Sequence, residues 1–312
     1  MPMSSRPRRS ALYVPGSNRR ALDKVRTIPV DVLIFDLEDS VAANEKDRAR
    51  EWVATVVAAM AGGRREIVVR VNGLDTPWIA RDIAVMVAVK PDAVLIPKVG
   101  RTDDIRRARS AFAAAQVPKT LSLWAMIETP AAILNAAAIA AIAAMPAPPV
   151  TGFVLGTNDL IAELGAPTRP GRAALVPHLS QALLAARAHN LAILDGTFND
   201  LDDRKGLRTE CQQGRDMGFD GKTIIHPTQA PVANEVFAPD AEEIAWARQV
   251  VAAFAAPDNS GLEVMRLSGR MVERLHERAA RRTLEMAEAV AAKDALDREE
   301  QKLQRRRTLA AP

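Results

Sequence analysis

The stretch Val32-Leu-Ile-Phe-Asp-Leu-Glu-Asp-Ser40 sets the pattern for the chain: a short apolar run passes directly into a group of acids. An unbroken apolar run of this length suits a strand buried on both faces, as in a parallel sheet covered by helices. Working outward, the same unit recurs. Ala11–Val14 precedes it, and Ile67–Val71, Ala93–Ile96, Leu121–Ile127, Gly152–Leu155, Leu191–Leu194 and Thr223–Ile225 follow. Between them lie the helix-like segments Asn44–Ala61, Pro77–Val89, Thr102–Ala115, Pro130–Met145, Pro170–Asn190 and Gly206–Met217. Eight evenly spaced strands, each followed by a helix or turn, predict an α/β fold of the (β/α)8 TIM-barrel type. An open doubly wound sheet is the rival, but no Gly-x-Gly-x-x-Gly follows the first strand.

Beyond the eighth strand, Ala241–Ala256 reads as an extra helix. A turn over Pro257–Gly261 follows, then a last helical segment from about Gly269 to Ala292. The expected organisation is a catalytic barrel over 1–256, a C-terminal helical arm or lid over 257–292, and a disordered tail over 293–312. The tail is charge-dense and poor in large apolar residues, which gives it little to bury.

Composition narrows the class. The chain has 312 residues, 48% hydrophobic and 26% charged, which describes a globular protein with a sizeable core. No apolar run is long enough for a membrane helix, and none is expected. The net charge of +4 rests on the ends: setting aside Arg6, Arg8, Arg9, Arg305, Arg306 and Arg307 leaves the body at −2. With no interleaving of aromatics and positive charge, a nucleic-acid partner is not expected. The basic segment Met1–Arg9 runs straight into the first strand, so the expected location is cytoplasmic. A lone cysteine, Cys211, excludes an internal disulfide and a thiolate zinc cluster.

In a barrel of this kind the reacting groups sit just after the strands, at the C-terminal face. Those positions hold Asp36-Leu-Glu38-Asp39, Arg70-Val-Asn72, Pro97-Lys98, Glu128-Thr129, Gly156-Thr-Asn-Asp159, Asp195-Gly196 and His226-Pro227. Glu128 and Asp159 follow adjacent strands, and two such oxygen ligands plus water and a chelating substrate suit magnesium. The bland alternative is that each acid caps the helix after it. Glu38 and Asp39 carry the same alternative, since Asp-Ser before a helix is ordinary capping chemistry. Arg70 ends an otherwise apolar strand, where a guanidinium wants a planar anion. It reads either as a substrate carboxylate ligand or as an internal partner of Glu38 or Glu128. Lys98 reads as a structural or substrate-orienting group, with a Schiff-base amine as the rival. His226 reads as structural, and Asp195 as part of a wall or a turn.

Several segments resemble a known family, that of the citrate lyase beta subunit and its HpcH/HpaI aldolase relatives, which includes malyl-CoA lyases and thioesterases. They are Arg9-Ser-Ala-Leu-Tyr-Val-Pro-Gly16, Phe35-Asp-Leu-Glu-Asp-Ser-Val-Ala42, Val69-Arg-Val-Asn-Gly73 and Ile96-Pro-Lys-Val99. Ile127-Glu-Thr129, Gly156-Thr-Asn-Asp-Leu160, Gly218-Phe-Asp-Gly-Lys222 and Ile225-His-Pro227 complete the set. The resemblance runs from residue 9 to about residue 292. Within the family, Gly156–Gly165 and Glu210–Gly218 look most like the malyl-CoA thioesterase branch.

The resemblance implies a magnesium-dependent barrel, with manganese as an alternative ion, assembled as a homotrimer or a hexamer. It implies Glu128 and Asp159 as metal ligands, Arg70 as the ligand of the substrate carboxylate, and Glu38 and Asp39 as supports of metal-bound water. The loop Pro15–Arg20 matches a region that contacts coenzyme A, which singles out Arg19 and Arg20. Many lyases of the family carry Gly-Lys-Met-Ile-Asp-x-Pro in the C-terminal arm, with the Asp as catalytic acid/base for a neighbouring subunit. Here the run is Gly269-Arg-Met-Val-Glu-Arg-Leu275, so Glu273 stands at the Asp position. A glutamate there favours hydrolysis over carbon–carbon cleavage.

Three functions are then in play. The first is hydrolysis of (3S)-malyl-CoA or a similar 3-hydroxy-dicarboxyl-CoA thioester. The second is reversible cleavage of malyl-CoA, citramalyl-CoA or citryl-CoA to acetyl-CoA and a 2-oxo acid. The third is a citrate lyase beta subunit that acts only on an acyl chain presented by a carrier protein.

Overall fold

The computed structural model describes residues 6–309 apart from residues 64, 119, 144, 146 and 147. Eight strands alternate with helices: β1 Ser10–Pro15, β2 Val32–Asp36, β3 Glu66–Arg70, β4 Ala93–Ile96, β5 Ser122–Ile127, β6 Val150–Leu155, β7 Ala192–Asp195 and β8 Gly221–Ile224. They pair in parallel in chain order, and β1 also pairs with β8, so the sheet closes into a barrel. The helices of this part are α1 Arg19–Lys24, α2 Lys46–Met60, α3 Ile79–Val89, α4 Thr102–Ala114, α5 Pro130–Ala141, α6 Thr157–Leu164, α7 Val176–Ala188, α8 Arg204–Met217 and α9 Ala230–Val236.

Strand parity explains where the site lies. Alternate residues point into the barrel, and Ala11, Val32, Ile34, Val68, Leu95, Trp124, Met126, Val154 and Leu194 form its interior. Continuing each two-residue step past the apolar core brings Asp36, Arg70 and Glu128 to the inward side at the C-terminal mouth. The same step turns Asp195, next to the inward Leu194, away from the mouth. One irregularity occurs where β5 shifts register against β6 at Leu123/Trp124.

Packing divides the described residues into two compact units, one running from Arg8 to Glu235 and the other comprising Arg6, Pro7 and the residues from Val236 onward. The second holds α10 Ala241–Ala255, strands β9 Val264–Leu267 and β10 Arg270–Glu273, and α11 Arg274–Leu309. Its core gathers Ala247, Val250 and Phe254 of α10 with Val272 and Ala280. The division therefore falls after Glu235 and places α10 with the arm, whereas the sequence suggests a boundary at residue 256. A second correction concerns Gly269–Ala292, expected as continuous helix. Ser268 and Gly269 both take positive φ, 47° and 81°, and close a two-residue hairpin between β9 and β10. A third concerns the tail: α11 continues to Leu309 through much of the stretch expected to be disordered. The helix expected over Pro130–Met145 ends at Ala141, and the one expected from Pro170 begins at Val176. The start of the basic segment Met1–Arg9 and the last three residues of the tail lie outside the described residues.

Candidate active site

Asp36 and Arg70 are register partners at the ends of β2 and β3. The guanidinium grips the Asp36 carboxylate with two parallel bonds, Nε to Oδ1 at 2.7 Å and Nη2 to Oδ2 at 2.7 Å. Burial alone would raise the Asp36 carboxyl, but Arg70 outweighs it and holds the group below the usual carboxylate range. Asp36 also accepts the backbone N–H groups of Glu38 and Ser40, so the turn after β2 is built around it. Arg70 thus does have internal partners: Glu38, as expected, and Asp36, which the sequence did not single out. Its remaining nitrogen, Nη1, stands 2.9 Å from Glu38 Oε2 and 3.3 Å from Asp39 Oδ2. The Tyr13 ring packs against the guanidinium at 5.1 Å. Burial pushes the Glu38 carboxyl up to about 7, with Arg70 opposing the shift.

Glu128 follows β5 and is fully buried. Its Oε1 accepts the backbone N–H of Lys98 at 2.6 Å, while its Oε2 has no hydrogen-bond partner among the described residues. A buried carboxylate oxygen without a donor is expensive, so this atom asks for a cation or a proton. Burial pushes the carboxyl up to about 8. Asp159, in the first turn of α6, bonds the Lys98 ammonium, which outweighs burial and holds the Asp159 carboxyl low. The close approach of the two acids depends on Gly156. A Cβ there would overlap the Glu128 Cβ and come within 2.7 Å of its Oε2.

These features fit a hard divalent cation. Among the described residues no group of three or more His, Cys, Asp or Glu is placed to hold a metal. Two carboxylates are what a magnesium ion needs when water and substrate supply the remaining oxygens. The Schiff-base alternative for Lys98 fits poorly: its ammonium lies among Asp159, Glu128 and Asp39, which outweigh burial and hold it protonated.

Residues 9–227 match the family described as HpcH/HpaI aldolase/citrate lyase. The chain belongs to that family. The (3S)-malyl-CoA thioesterase of Cereibacter sphaeroides is 49% identical over 292 residues, covering 94% of this chain and 99% of the relative. The citrate lyase subunit beta of Leuconostoc mesenteroides is 33% identical over 291 residues, covering 92% and 95%. A crystal structure of the CitE protein from Mycobacterium tuberculosis, in complex with magnesium, acetoacetate and coenzyme A, is 31% identical with a TM-score of 0.71. That match covers 89% of this chain and 97% of the other.

The polar groups at the mouth come from the ends of several strands and the loops after them. The structure brings Arg70, Glu38, Asp39, Glu128 and Asp159 together. Sequence reasoning missed three supports. Asp36 was legible through parity, since it lies two residues beyond the inward Ile34. Lys46 Nζ donates to the carbonyls of Leu37 and Glu38, each at 2.7 Å, and gathers the loop after β2. Asp82 bonds Arg50 Nε at 2.7 Å and both nitrogens of Asn72, which fixes the loop after β3. Neither Lys46 nor Asp82 had a local signal, because each acts on a loop distant in sequence.

The other candidates lie apart from this cluster or in the second unit. Asp195 points outward, fully buried against Lys222 Nζ at 3.1 Å and Arg172 Nη1 at 2.6 Å. The ammonium also reaches Glu210 and the Gly196 carbonyl, so this group clamps the turn after β7. His226 accepts from Thr228 N and caps the short turn that follows it, a structural role. Arg19 and Arg20 begin α1 and are exposed; Arg19 pairs with Asp23 at 3.2 Å and lies over the Trp52 ring. Glu273 closes β10 opposite Val264, immediately before α11, rather than lying on a helix face. Its backbone N–H donates to His276 Nδ1 at 3.0 Å.

Proposed function

We propose that this protein is a magnesium-dependent acyl-CoA enzyme that hydrolyses (3S)-malyl-CoA or a similar 3-hydroxy-dicarboxyl-CoA thioester. The observation that carries the metal part is the fully buried Glu128, whose Oε2 has no hydrogen-bond donor among the described residues and whose neighbour is Asp159. The substrate class is supported by the 49% identity to a (3S)-malyl-CoA thioesterase across nearly the whole of both chains. Held by Glu128 and Asp159, magnesium would supply Lewis acidity toward a carboxylate and its adjacent hydroxyl oxygen.

The chain's own residues do the rest. Asp36 takes the fork of Arg70, so only the Nη1 edge faces the site, and that edge orients the substrate's terminal carboxylate with one charge-assisted bond. Glu38 and Asp39 hold water beside the metal. Glu273 takes a proton from the water that attacks the thioester carbonyl, and does so in a neighbouring subunit of a homotrimer or hexamer. Arg19 and Arg20 meet the anionic end of coenzyme A. Manganese would be held by the same two carboxylates, Glu128 and Asp159, and the enzyme would work in the cytoplasm.

A second reading, reversible carbon–carbon cleavage, draws support from the similarity to a citrate lyase subunit beta. Purified protein is incubated with (3S)-malyl-CoA and magnesium while free CoA and glyoxylate are followed separately. CoA released without glyoxylate supports hydrolysis. Glyoxylate with acetyl-CoA overturns it in favour of the lyase, and no turnover of a free CoA thioester points to a subunit that needs a carrier-bound acyl chain.

A further inference from the structure

Lys98 combines two features that the proposed chemistry does not use. Its backbone has φ 54°, a left-handed conformation that disfavours any residue with a Cβ. This strain has a local return: it aims the Lys98 N–H at Glu128 Oε1, at 2.6 Å. The side chain meanwhile reaches into the acids. Nζ bonds Asp159 Oδ2 and stands 3.7 Å from Glu128 Oε2 and 3.9 Å from Asp39 Oδ2. One residue therefore fixes one oxygen of Glu128 through its backbone and places a positive charge in front of the other.

The two atoms nearest this ammonium from the proposed ligand pair, Glu128 Oε2 and Asp159 Oδ2, are the oxygens a divalent ion would draw on. Glu128 Oε1 is already committed to the Lys98 N–H, so the metal's claim falls on Oε2. Two cations cannot share that space without strong repulsion. The lysine stem is flexible and the side chain 43% exposed, so the ammonium can withdraw into water without disturbing the strained backbone.

We propose that Lys98 is a tethered counter-cation: its ammonium and magnesium are alternative occupants of the space between Glu128 and Asp159. Lys98 thus lowers metal affinity, keeps the carboxylates from repelling one another when no metal is bound, and swings out when magnesium enters. This rests on the metal reading above and adds to it a residue that sets how tightly the metal is held.

The test uses the full-length protein and magnesium alone, with no substrate. Lys98→Met keeps the backbone N–H and most of the stem, and Lys98→Gln serves as a second neutral variant should the first fold poorly. Calorimetric titration should show magnesium binding about tenfold tighter in the neutral variants than in wild type, because no ammonium has to leave. In EDTA their melting temperature should fall below that of wild type, and magnesium should raise it by more. On the wild-type protein, acetylation of Lys98 by acetic anhydride, read by mass spectrometry, should speed up when magnesium is added. Equal or weaker magnesium binding by both variants overturns the counter-cation role while leaving the metal site standing, as does protection of Lys98 by magnesium. If wild type binds no magnesium, the metal reading fails and this inference fails with it.

Discussion

Glu128→Gln and Asp159→Asn each keep the shape of a side chain and remove one anionic oxygen ligand. Both variants should fold, bind magnesium weakly and lose turnover by about a hundredfold or more. Calorimetry and a CoA-release assay at limiting magnesium check this, and near-normal activity would remove either residue from the site. Arg70→Lys makes a different demand. The lysine keeps a charge but cannot reproduce the two parallel bonds to Asp36, which is 1% exposed. A stability loss of about 2 kcal/mol should accompany weaker substrate binding, because the fork holds the β2–β3 mouth and the third nitrogen, in the function proposed above, meets the substrate. A lower melting temperature with an unchanged KM would make Arg70 purely structural. At this scale the carboxylates were legible because they interrupt apolar strands at their C-terminal ends. The Asp36 partnership was hidden, since the sequence marks a polar residue but not the neighbour across the sheet.

Among the elements, the β9–β10 hairpin is the one most easily missed. Its strands are four residues each and its turn, Ser268-Gly269, needs left-handed backbone at both positions. The Ser-Gly dipeptide was the available signal, but the apolar spacing of Met271, Val272 and Leu275 also fits a helix, and a short strand cannot outvote it by period alone. Gly269→Val should strain the turn and destabilise the second unit by about 1–2 kcal/mol. Hydrogen exchange should then show faster opening of β9 and β10 while the barrel strands keep their protection. Unchanged exchange at Met265 and Val272, which form a ladder pair, would contradict the assigned turn. The barrel elements were far more legible, because each strand is a buried apolar run bounded by polar residues, and several helices in both units begin on a capping side chain. Asn18, Thr129, Asp203 and Asp240 all accept a backbone N–H at their helix starts.

For the whole molecule, the raised carboxyls couple stability to pH. Glu38 is pushed up to about 7 and Glu128 up to about 8, so the folded protein holds protons there that the unfolded chain has released. The folded state then binds more protons than the unfolded state through this window, and stability falls as pH rises through it. Asp36 and Asp195 act in the opposite sense, since their carboxyls are held low by Arg70, and by Lys222 and Arg172, against burial. Their contribution is lost only in acid. Without divalent ions, the melting temperature should be lower at about pH 9 than at about pH 6, and magnesium should close the gap by binding the ionised acids. A melting temperature that rises from about pH 6 to about pH 9 in EDTA would contradict this. The overall architecture followed from strand and helix alternation, which length and spacing alone constrain. The division after Glu235 did not, because α10 has the same composition as a barrel helix and only its neighbours in space assign it to the second unit.

The mouth of the barrel brings the carboxyl groups of Asp36, Glu38, Asp39, Glu128 and Asp159 against two cations, Arg70 and Lys98. Such a lining presents a negative potential to anything that approaches. An acyl-CoA with a free carboxylate arrives as a polyanion and meets that field head-on. Divalent metal offsets part of that charge and offers the substrate's oxygens a cation, so the expected order of arrival is the ion first and the thioester second. Initial rates measured against both concentrations should follow an ordered pattern, and excess thioester should fail to bind in EDTA. The acidity that draws the metal in would then also serve as a lock that no substrate can open alone.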